Sequence, residues 1–314
     1  MTFEVTILGS GSAAPSVHRH HTAHALNVHE QFFLIDCGEG TQERMRQYGI
    51  ILMKLNAIFI SHLHGDHVFG LPGIISTLNH LGRKVPLHIF GPMPLGEILR
   101  FHLQYFEHNL GYEIIIHELN ARENVLVYEN KVLEVTTIPL RHRIPSCGYL
   151  FREKTPARNV DKRAIEKYGL SLKQIVALKN GKDILLENGL DNSTLLAHEE
   201  ATYIPYQPRS YAYCSDTLYS GKVVSLVHGV DLLYHEATFL DKDKALAKET
   251  GHTTALQAAK AASLAEVKQL MLGHFSSRYK DDSVFLDESR AIFPNTILAV
   301  EGETVGIPIV KQSL

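Results

Sequence analysis

The sequence has no tryptophan, only three cysteines and no long apolar run. Because Cys37, Cys147 and Cys214 are odd in number and far apart, we expect a reduced, cytoplasmic protein without a disulfide framework. The absence of 18 or more consecutive apolar residues argues against a membrane span, so we expect no membrane partner. The opening residues, MTFEVTILGSGS, lack a basic segment followed by an apolar stretch, so we expect no secretory signal.

Neither sign of charge dominates, since the formal net charge is −3 over 314 residues. This balance does not by itself indicate a nucleic-acid-binding protein. The segment 152–182, however, holds nine basic residues against three acidic ones, a local charge of +6. A basic segment on an acidic body is consistent with a contact to a polyanion. A solvated helical surface would give the same counts, and the sequence leaves both interpretations open.

The string SHLHGDH, residues 61–67, places His62, His64, Asp66 and His67 within six residues. Alternation along the end of a strand predicts that His62 and His64 face the same metal position. A turn at Gly65 would then direct Asp66 and His67 toward a second position, as a two-metal hydrolytic centre requires. Imidazole and carboxylate ligands favour zinc or manganese. The alternative is a histidine-rich loop, because the chain has 19 histidines.

The pattern of β-branched residues, apolar periodicity and Gly/Pro boundaries predicts an α/β fold of the α+β type. Two sheets covered by outer helices, a four-layer arrangement, would accommodate these elements in one domain over residues 1–314. The predicted strands are 5–8, 32–35, 57–60, 87–90, 114–116, 132–138, 210–214, 232–234, 269–272 and 296–299. The predicted helices are 40–48, 71–81, 95–103, 254–263 and 282–292. Residues 152–199 interrupt this pattern, and we expect an insertion with helices at 161–168 and 171–178.

Further metal ligands are expected where other predicted strands end, since one loop cannot complete a two-metal site. Three residues lie just past such strands: His142 in PLRHRIPSCGY, Asp216 in YCSDT and His274 in GHFSSRY. Asp216 could bridge two ions because a carboxylate can present one oxygen to each. Each residue alone would more often be an ordinary loop or core residue, and their joint occurrence favours the ligand interpretation.

The strings SHLHGDH, PLRHRIPSCGY, YCSDT, HEAT and GHFSSRY, in this order, resemble the metallo-β-lactamase superfamily and, within it, the ribonuclease Z family of tRNA 3′-processing endonucleases. FLIDCGEGTQ (33–42) is similar to the first motif of that family, and GLPG (70–73) also resembles it. The resemblance covers residues 1–150 and 210–280.

This resemblance implies a four-layer αβ/βα metallo-β-lactamase sandwich that binds two Zn²⁺ per subunit, with Mn²⁺ as a possible substitute. Asp36 would support the site without binding metal. Asp216 would bridge the two ions. The remaining ligands implied are His62, His64 and His142 for one zinc, and Asp66, His67 and His274 for the other.

The resemblance also implies an endoribonuclease that removes the 3′ trailer of precursor tRNA, leaving a 3′-hydroxyl on the tRNA and a 5′-phosphate on the trailer. His235-Glu-Ala-Thr238 resembles the family's HEAT motif, and His252-Thr-Thr254 its HST motif. We assign His252 as the general acid for the leaving oxygen, Glu236 as its orienting partner, and Asp66 as both ligand and orienter of the attacking hydroxide. A buried structural pair is the alternative for His235 and Glu236.

Ser277 and Arg278 follow His274 closely and are candidates for binding a non-scissile phosphate, although a surface salt bridge is the alternative for Arg278. The basic insertion 152–199 lies where the family carries its exosite arm for tRNA, but the usual Gly-Pro tip is missing. Residues 15–20, PSVHRH, match the family pattern Pro-x-Lys-x-Arg-Asn only at Pro15 and Arg19, so the cleavage position stays open.

The resemblance further implies a homodimer. Two rival functions remain at this stage. One is a zinc phosphodiesterase acting on small phosphodiesters, and the other is a non-enzymatic RNA-binding protein with a stabilising metal site.

Overall fold

The computed structural model describes residues 1–14, 16–106, 109–187 and 193–311. The chain divides into two compact units. The first comprises Met1–Arg152 and Ser210–Ile307, and the second comprises Glu153–Arg209 with the described residues after Ile307. The second unit contains nearly all of the predicted insertion and extends beyond Glu199. Pro15 and residues 188–192 of the insertion lie outside the described residues. Within the described ranges, no helix has the length and apolar content needed to cross a membrane.

The strands are numbered along the chain. They are β1 (Phe3–Gly9), β2 (Ala23–Val28), β3 (Gln31–Ile35), β4 (Leu55–Phe59), β5 (Leu87–Pro92), β6 (Ile114–Leu119), β7 (Leu126–Glu129), β8 (Leu133–Pro139), β9 (Cys147–Glu153), β10 (Asn159–Val160), β11 (Ile184–Glu187), β12 (Ser193–Leu196), β13 (Thr202–Tyr203), β14 (Ser210–Cys214), β15 (Leu232–Glu236), β16 (Gln269–Gly273), β17 (Thr296–Leu298) and β18 (Thr304–Gly306).

The α-helices are numbered in the same way, and two short 3₁₀ segments lie at Leu52–Lys54 and Asp241–Asp243. The helices are α1 (Thr41–Gln47), α2 (Gly65–Val68), α3 (Leu71–His80), α4 (Leu95–Phe106), α5 (Lys162–Tyr168), α6 (Leu172–Lys179), α7 (His198–Ala201), α8 (Gly221–Leu226), α9 (Lys244–Thr250), α10 (Ala255–Leu264) and α11 (Ser283–Arg290).

Two seven-stranded sheets form the first unit. One has the order β18-β1-β2-β3-β4-β5-β6, and the other has the order β17-β16-β15-β14-β9-β8-β7. Strands β3 to β6 run parallel to one another, as do β14 to β17. Parallel strands place their carboxyl ends at one edge, where α/β proteins bind ligands.

The two sheets pack face to face, and helices cover their outer faces. Side chains from both sheets, such as Phe33, Phe59, Phe151 and Tyr211, form the central core. A second core joins one sheet to α8, α10 and α11, and a third joins the other sheet to α1, α3 and α4. These four layers confirm the architecture expected from the sequence. Consecutive buried apolar residues in central strands, as in β4, account for the two-sided packing.

The second unit has its own small apolar core, which includes Leu170, Leu178, Ile184 and Leu196. Strand β10 pairs with β13, and β11 pairs with β12. Both predicted helices are present, as α5 and α6, and Asp161 and Ser171 cap their first turns. Near the two chain ends of the unit, Arg209 and Glu153 form a buried bidentate ion pair, with nitrogen–oxygen distances of 2.6 and 2.9 Å.

Several strands escaped prediction. They include β2, β7, β9 and β18, along with the short strands of the second unit. Strand β2 contains His24 and Asn27, and β9 contains Gly148 and Arg152, so neither shows a clean alternation. Strand β2 is buried along its whole length between β1 and β3, and β9 pairs with β14, which is distant in the sequence. The sheet context, rather than an apolar period, therefore sets both strands.

Candidate metal centre

The chemistry-bearing residues lie just past, or at, the carboxyl ends of strands. Asp36 follows β3, His142 follows β8, and Asp216 follows β14. Glu236 ends β15, and His274 follows β16. The sheet edge therefore assembles residues that are up to 238 positions apart in the sequence.

The local structure of SHLHGDH differs from the prediction in one respect. Strand β4 ends at Phe59, so His62 and His64 lie in the irregular segment after it, and the expected alternation along a strand end was wrong. Helix α2 begins at Gly65, the position of the expected chain reversal. Asp66 and His67 lie in the first turn of this helix.

One cluster of possible ligands contains His62, His64, His142 and Asp216. His62 Nε2 lies 3.0 Å from His64 Nδ1, and His142 Nε2 lies 3.3 Å from that same Nδ1. Asp216 Oδ2 lies 3.5 Å from His62 Nε2 and 3.7 Å from His142 Nε2. Four donor atoms this close together could hold one metal ion.

A second cluster contains Asp66, His67 and His274, all of which are buried. Asp66 Oδ2 lies 3.4 Å from His67 Nε2 and also 3.4 Å from His274 Nε2. These three residues come from α2 and from the loop after β16, so only the fold brings them together.

Asp216 joins the two clusters through different oxygen atoms. Its Oδ2 faces His62 and His142, whereas its Oδ1 lies 3.1 Å from His274 Nε2 and 3.5 Å from His67 Nε2. A carboxylate in this position can present one oxygen to each of two cations. The structure thus brings together all seven residues that the sequence proposed as ligands.

The donor set fits metal ions on a criterion that is independent of any motif. Asp66 Oδ2, His67 Nε2 and His274 Nε2 are buried, and none has a hydrogen-bond partner in the described part of the chain. Buried polar atoms are otherwise almost always paired. A cation shared by these three atoms would satisfy all of them.

Asp36 holds the centre from behind the ligands. Its Oδ2 accepts hydrogen bonds from His67 Nδ1 at 2.7 Å, from Tyr213 at 2.6 Å and from Ser61 Oγ at 2.8 Å. Its Oδ1 accepts the backbone N–H of Ser61 at 2.7 Å. Because a carboxylate only accepts, His67 must carry a proton on Nδ1, so Nε2 is the nitrogen that faces the second cluster and is available to a metal ion.

Three other histidines are oriented in the same way, each by a hydrogen bond from Nδ1 to a fixed acceptor. His142 Nδ1 donates to the carbonyl oxygen of Gly251 at 2.8 Å, and His274 Nδ1 donates to Thr238 Oγ1 at 2.9 Å. Ser61 Oγ, whose proton goes to Asp36, can accept from His62 Nδ1 at 3.0 Å. In each ring the remaining nitrogen points toward the clusters.

Charge and burial give the ligand groups complementary protonation states. Burial is the main cause that lowers the pKa of His62, His64 and His142, which favours the neutral imidazoles that metals require. Burial alone would raise the pKa of Asp66 and Asp216, but neighbouring histidines, His67 and His274 in particular, hold both pKa values below the ordinary range.

His252 and Glu236 form a separate pair beside the clusters. His252 Nδ1 lies 2.9 Å from Glu236 Oε1, and that carboxylate also accepts the backbone N–H groups of Thr217, Thr238 and Thr253. Although burial lowers the pKa of His252, the carboxylates of Glu236 and Asp216 raise it to about 9. The ring can therefore carry a proton on Nε2 at neutral pH. His252 also lies near enough to Asp216 and His274 for a cation to bind among the three.

A cavity of about 620 Å³ opens over the clusters. Its described lining includes Glu39, Phe69, Arg143 and Ser276, none of which the sequence singled out. Arg143 had a signal available, since it directly follows His142, but the other three are placed there by the fold.

The two predicted phosphate-binding residues lie outside this lining. Ser277 lines a neighbouring cavity of about 340 Å³. Arg278 is exposed, and its guanidinium stacks 5.1 Å from the ring centre of Phe239, which does line the cavity over the clusters.

His235, whose role the sequence left open, is buried, and its Nδ1 donates a hydrogen bond to the backbone oxygen of Glu236.

Similarity to known proteins agrees with this geometry. A ribonuclease Z from Bacteroides fragilis is 46% identical over 305 residues, which cover 97% of this chain and 99% of that protein. The chain belongs to the ribonuclease Z family. The resemblance inferred from its motifs is therefore confirmed.

Solved structures show that this chain has the metallo-β-lactamase fold. Human tRNase Z, short form, superimposes with a TM-score of 0.69 at 26% identity, covering 98% of this chain and all of that one. The metallo-β-lactamase fold protein YhfI from Bacillus subtilis has a TM-score of 0.66 at 16% identity, covering 98% and 100%, and shows the fold alone. A family model described as anti-Pycsar protein Apyc1 matches residues 3–157, slightly less than half of the chain.

Proposed function

We propose that this protein is a zinc-dependent endoribonuclease that removes the 3′ trailer from precursor tRNA. The observation that carries the proposal is Asp216, which turns one oxygen toward each of two histidine clusters beside the His252–Glu236 pair. Membership in the ribonuclease Z family supplies the substrate class. Two Zn²⁺ per subunit, with Mn²⁺ as a substitute, would suit the donor set of imidazoles and carboxylates.

Seven side chains would hold the two ions. His62, His64 and His142 would hold one, Asp66, His67 and His274 would hold the other, and Asp216 would bridge. When bound, the ions would lower the pKa of a water molecule and neutralise charge on the phosphate oxygens. Asp66, besides binding metal, would accept a hydrogen bond from the attacking water and direct it toward phosphorus.

His252 would supply the proton for the leaving group. Glu236 fixes Nδ1–H of His252, so Nε2 is the atom that can deliver a proton. The attacking water would lose one proton to solvent, and its oxygen would bond to phosphorus while the bond between phosphorus and the ribose 3′-oxygen breaks. The released 3′-oxygen would take the proton from Nε2 of His252. The tRNA then ends in a 3′-hydroxyl, and the trailer begins with a 5′-phosphate.

The segment 152–182, most of which lies in the second unit, supports an RNA substrate through its charge. The segment 152–182 has a net charge of +6, and Lys162, Lys167 and Lys173 lie exposed on α5 and α6. Exposed lysines that are not committed to the core suit sequence-independent contacts with phosphates. We assign the insertion 152–199 as the arm that binds tRNA away from the cleavage site.

We further infer a homodimer in the cytoplasm, where precursor tRNA would be available. Helix α4 exposes Ile98, Phe101 and Tyr105 on one side, and Phe69 is also 69% exposed. Exposed aromatic side chains concentrated in this way are typical of protein interfaces. Sedimentation of the Phe101→Glu variant tests this inference, since the dimer should dissociate while the monomer stays folded.

The direct test uses a 5′-labelled precursor tRNA with a 3′ trailer, incubated with metal-replete protein and with chelator-treated protein. We expect a single metal-dependent cut near the discriminator base that leaves a 3′-hydroxyl. If the protein does not cut this RNA yet hydrolyses a small phosphodiester rapidly, it is the alternative enzyme, a zinc phosphodiesterase acting on small phosphodiesters.

Two variants separate chemistry from binding. Asp66→Ala should abolish cleavage with little loss of RNA affinity, and a parallel loss of both would contradict the assigned role. Reversing charge at Lys162, Lys167 and Lys173 should weaken cleavage of precursor tRNA but not of a small phosphodiester. The matched control reverses charge at Lys222, Lys242 and Lys248 of the first unit.

A further inference from the structure

The cavity over the clusters has an uneven charge. Its described lining contains three carboxylates, Glu39, Asp66 and Asp216, but only one lysine or arginine, Arg143. Two of the carboxylates belong to the metal clusters, so Arg143 is the fixed positive charge that the described lining itself offers to an incoming phosphate.

The position of Arg143 is set by the backbone next to a proposed ligand. Arg143 directly follows His142, and both pack against Gly251, the left-handed residue that ends α9. A Cβ at Gly251 would lie 3.0 Å from His142 Nδ1 and 3.4 Å from Arg143 Cγ. The absence of a side chain at Gly251 therefore lets this segment approach closely, and it aligns the stem of Arg143 beside His252.

The guanidinium is close enough to His252 to affect it electrostatically. It is also available, because in the described part of the chain no carboxylate or hydrogen-bond acceptor pairs with the side chain of Arg143. Two other arginines of the first unit are engaged by carboxylates. Arg19 pairs with Asp282, and Arg44 lies 3.1 Å from a carboxylate oxygen of Glu301.

We propose that Arg143 binds the scissile phosphate, its guanidinium donating to a non-bridging oxygen on the side of the leaving 3′-oxygen. This inference rests on the proposed function. The location beside His252, the proton donor, places Arg143 on the leaving-group side of the reacting phosphorus. Negative charge on the non-bridging oxygens grows as water attacks, so a guanidinium there stabilises the transition state more than the bound substrate.

The test compares Arg143→Gln, Arg143→Lys and Arg141→Gln in the metal-replete protein. Arg141 is a matched control because it is exposed on the same segment and does not line the described cavity. Each variant is assayed on precursor tRNA and on bis(p-nitrophenyl) phosphate. The inhibition constant of inorganic phosphate and the bound zinc are also measured.

We expect Arg143→Gln to lower kcat/KM roughly 10- to 100-fold on both substrates, as loss of a charged hydrogen bond implies. It should weaken inhibition by inorganic phosphate about 10-fold and leave bound zinc unchanged. Arg143→Lys should show a smaller decrease in kcat/KM than Arg143→Gln, since lysine keeps the positive charge but lacks the paired N–H donors of the guanidinium. Arg141→Gln should match the unsubstituted protein.

Three outcomes would overturn the proposal. A loss confined to precursor tRNA would place the guanidinium on a remote phosphate. A loss accompanied by zinc release would make Arg143 a support for His142, and no loss on either substrate would exclude phosphate binding. Failure of the proposed function is distinguishable, because the unsubstituted protein would then leave precursor tRNA uncut whatever Arg143→Gln does to the small phosphodiester.

Discussion

At the scale of single residues, four of the five histidine ligands share one arrangement, namely His62, His67, His142 and His274. One ring nitrogen donates to a fixed acceptor, such as Asp36 for His67 or Gly251 for His142, and the other faces the ligand clusters. Two residues adopt unusual backbone conformations to reach their places, since Asp36 has φ of 56° and His274 has φ of 61°. Positive φ is unfavourable for both residue types, and such conformations concentrate at functional sites.

The role of His252 is testable at this scale. His252→Ala should lower kcat on precursor tRNA by about 10²–10⁴-fold, the usual contribution of a general acid. The loss should be much smaller on bis(p-nitrophenyl) phosphate, whose leaving group needs no proton. Steady-state kinetics on both substrates and the bound metal of each variant check this. Equal losses on both substrates, with one metal ion missing, would make His252 a ligand instead.

His24 gives a prediction of pH dependence. It is fully buried, its Nδ1 lies 2.7 Å from the Tyr211 hydroxyl, and burial lowers its pKa to about 3. The unfolded chain binds a proton near pH 6.5 that the folded chain excludes. The free energy of unfolding should therefore fall, by about 1 kcal/mol per pH unit, as pH drops from 6 toward 4.

Urea unfolding at several pH values measures this slope. His24→Gln, which keeps a partner for Tyr211, should show a shallower decline, whereas the exposed His228→Gln should decline like the unsubstituted protein. Identical slopes in all three would contradict the assignment.

At the scale of elements, the ends of strands and the starts of helices position the site. Helix α10 begins at Ala255, and Thr254 caps it in a reciprocal arrangement with Gln257. The backbone N–H of the preceding residue, Thr253, donates to Glu236. The cap therefore anchors the segment that carries His252. In the same way, Arg19 donates to Asp282 and to the carbonyl oxygens of Ser276 and Tyr279, which ties the amino-terminal loop to the loop after β16.

Thr254→Ala should reduce the free energy of unfolding by about 1 kcal/mol, because it removes a helix cap. It should also lower cleavage activity, since the backbone at Thr253 holds Glu236. Ser171→Ala removes the corresponding cap of α6 in the second unit. This variant should hydrolyse a small phosphodiester as fast as the unsubstituted protein. Thermal unfolding together with that assay separates the two effects, and an unchanged activity in Thr254→Ala would count against the anchoring role.

At the scale of the whole molecule, two sheets converge to place carboxylates and imidazoles at one edge. The first unit contains the complete set of proposed ligands, and the second contains the basic segment. Stability and metal binding should be linked in such a molecule, because the unfolded chain does not hold the ligands together.

Removal of metal with a chelator should lower Tm, and zinc at about 100 times its Kd should restore about 2.7 kcal/mol of stability. Asp216→Ala should show a smaller zinc-dependent shift because it loses the bridge between the clusters. Glu39→Gln, in the same cavity but outside the clusters, should keep the full shift. Thermal unfolding with and without zinc measures the shift in Tm of each protein. A Tm that does not change on chelation would contradict the metal assignment.

The sequence predicted much of this arrangement. Every predicted strand and helix is present, with its ends displaced by a few residues at most, because apolar periodicity and Gly/Pro boundaries act locally. The seven proposed ligands could be named because metal chemistry restricts residue type and because each lies in a recognisable string. Arg143 was missed although it directly follows His142, and Ser276 was missed because only the fold brings it to the cavity.

What the sequence alone determined is therefore the set of short-range features: most of the helices and strands, the metal-competent residue types, the basic segment and the family. Only the tertiary structure decided which nitrogen of each histidine faces the clusters, how Asp216 divides its oxygens between them, and which residues line the cavity. The physical reason is that these properties depend on contacts between strands distant in the chain. Asp36, Ser61 and Tyr213 meet only after both sheets have formed.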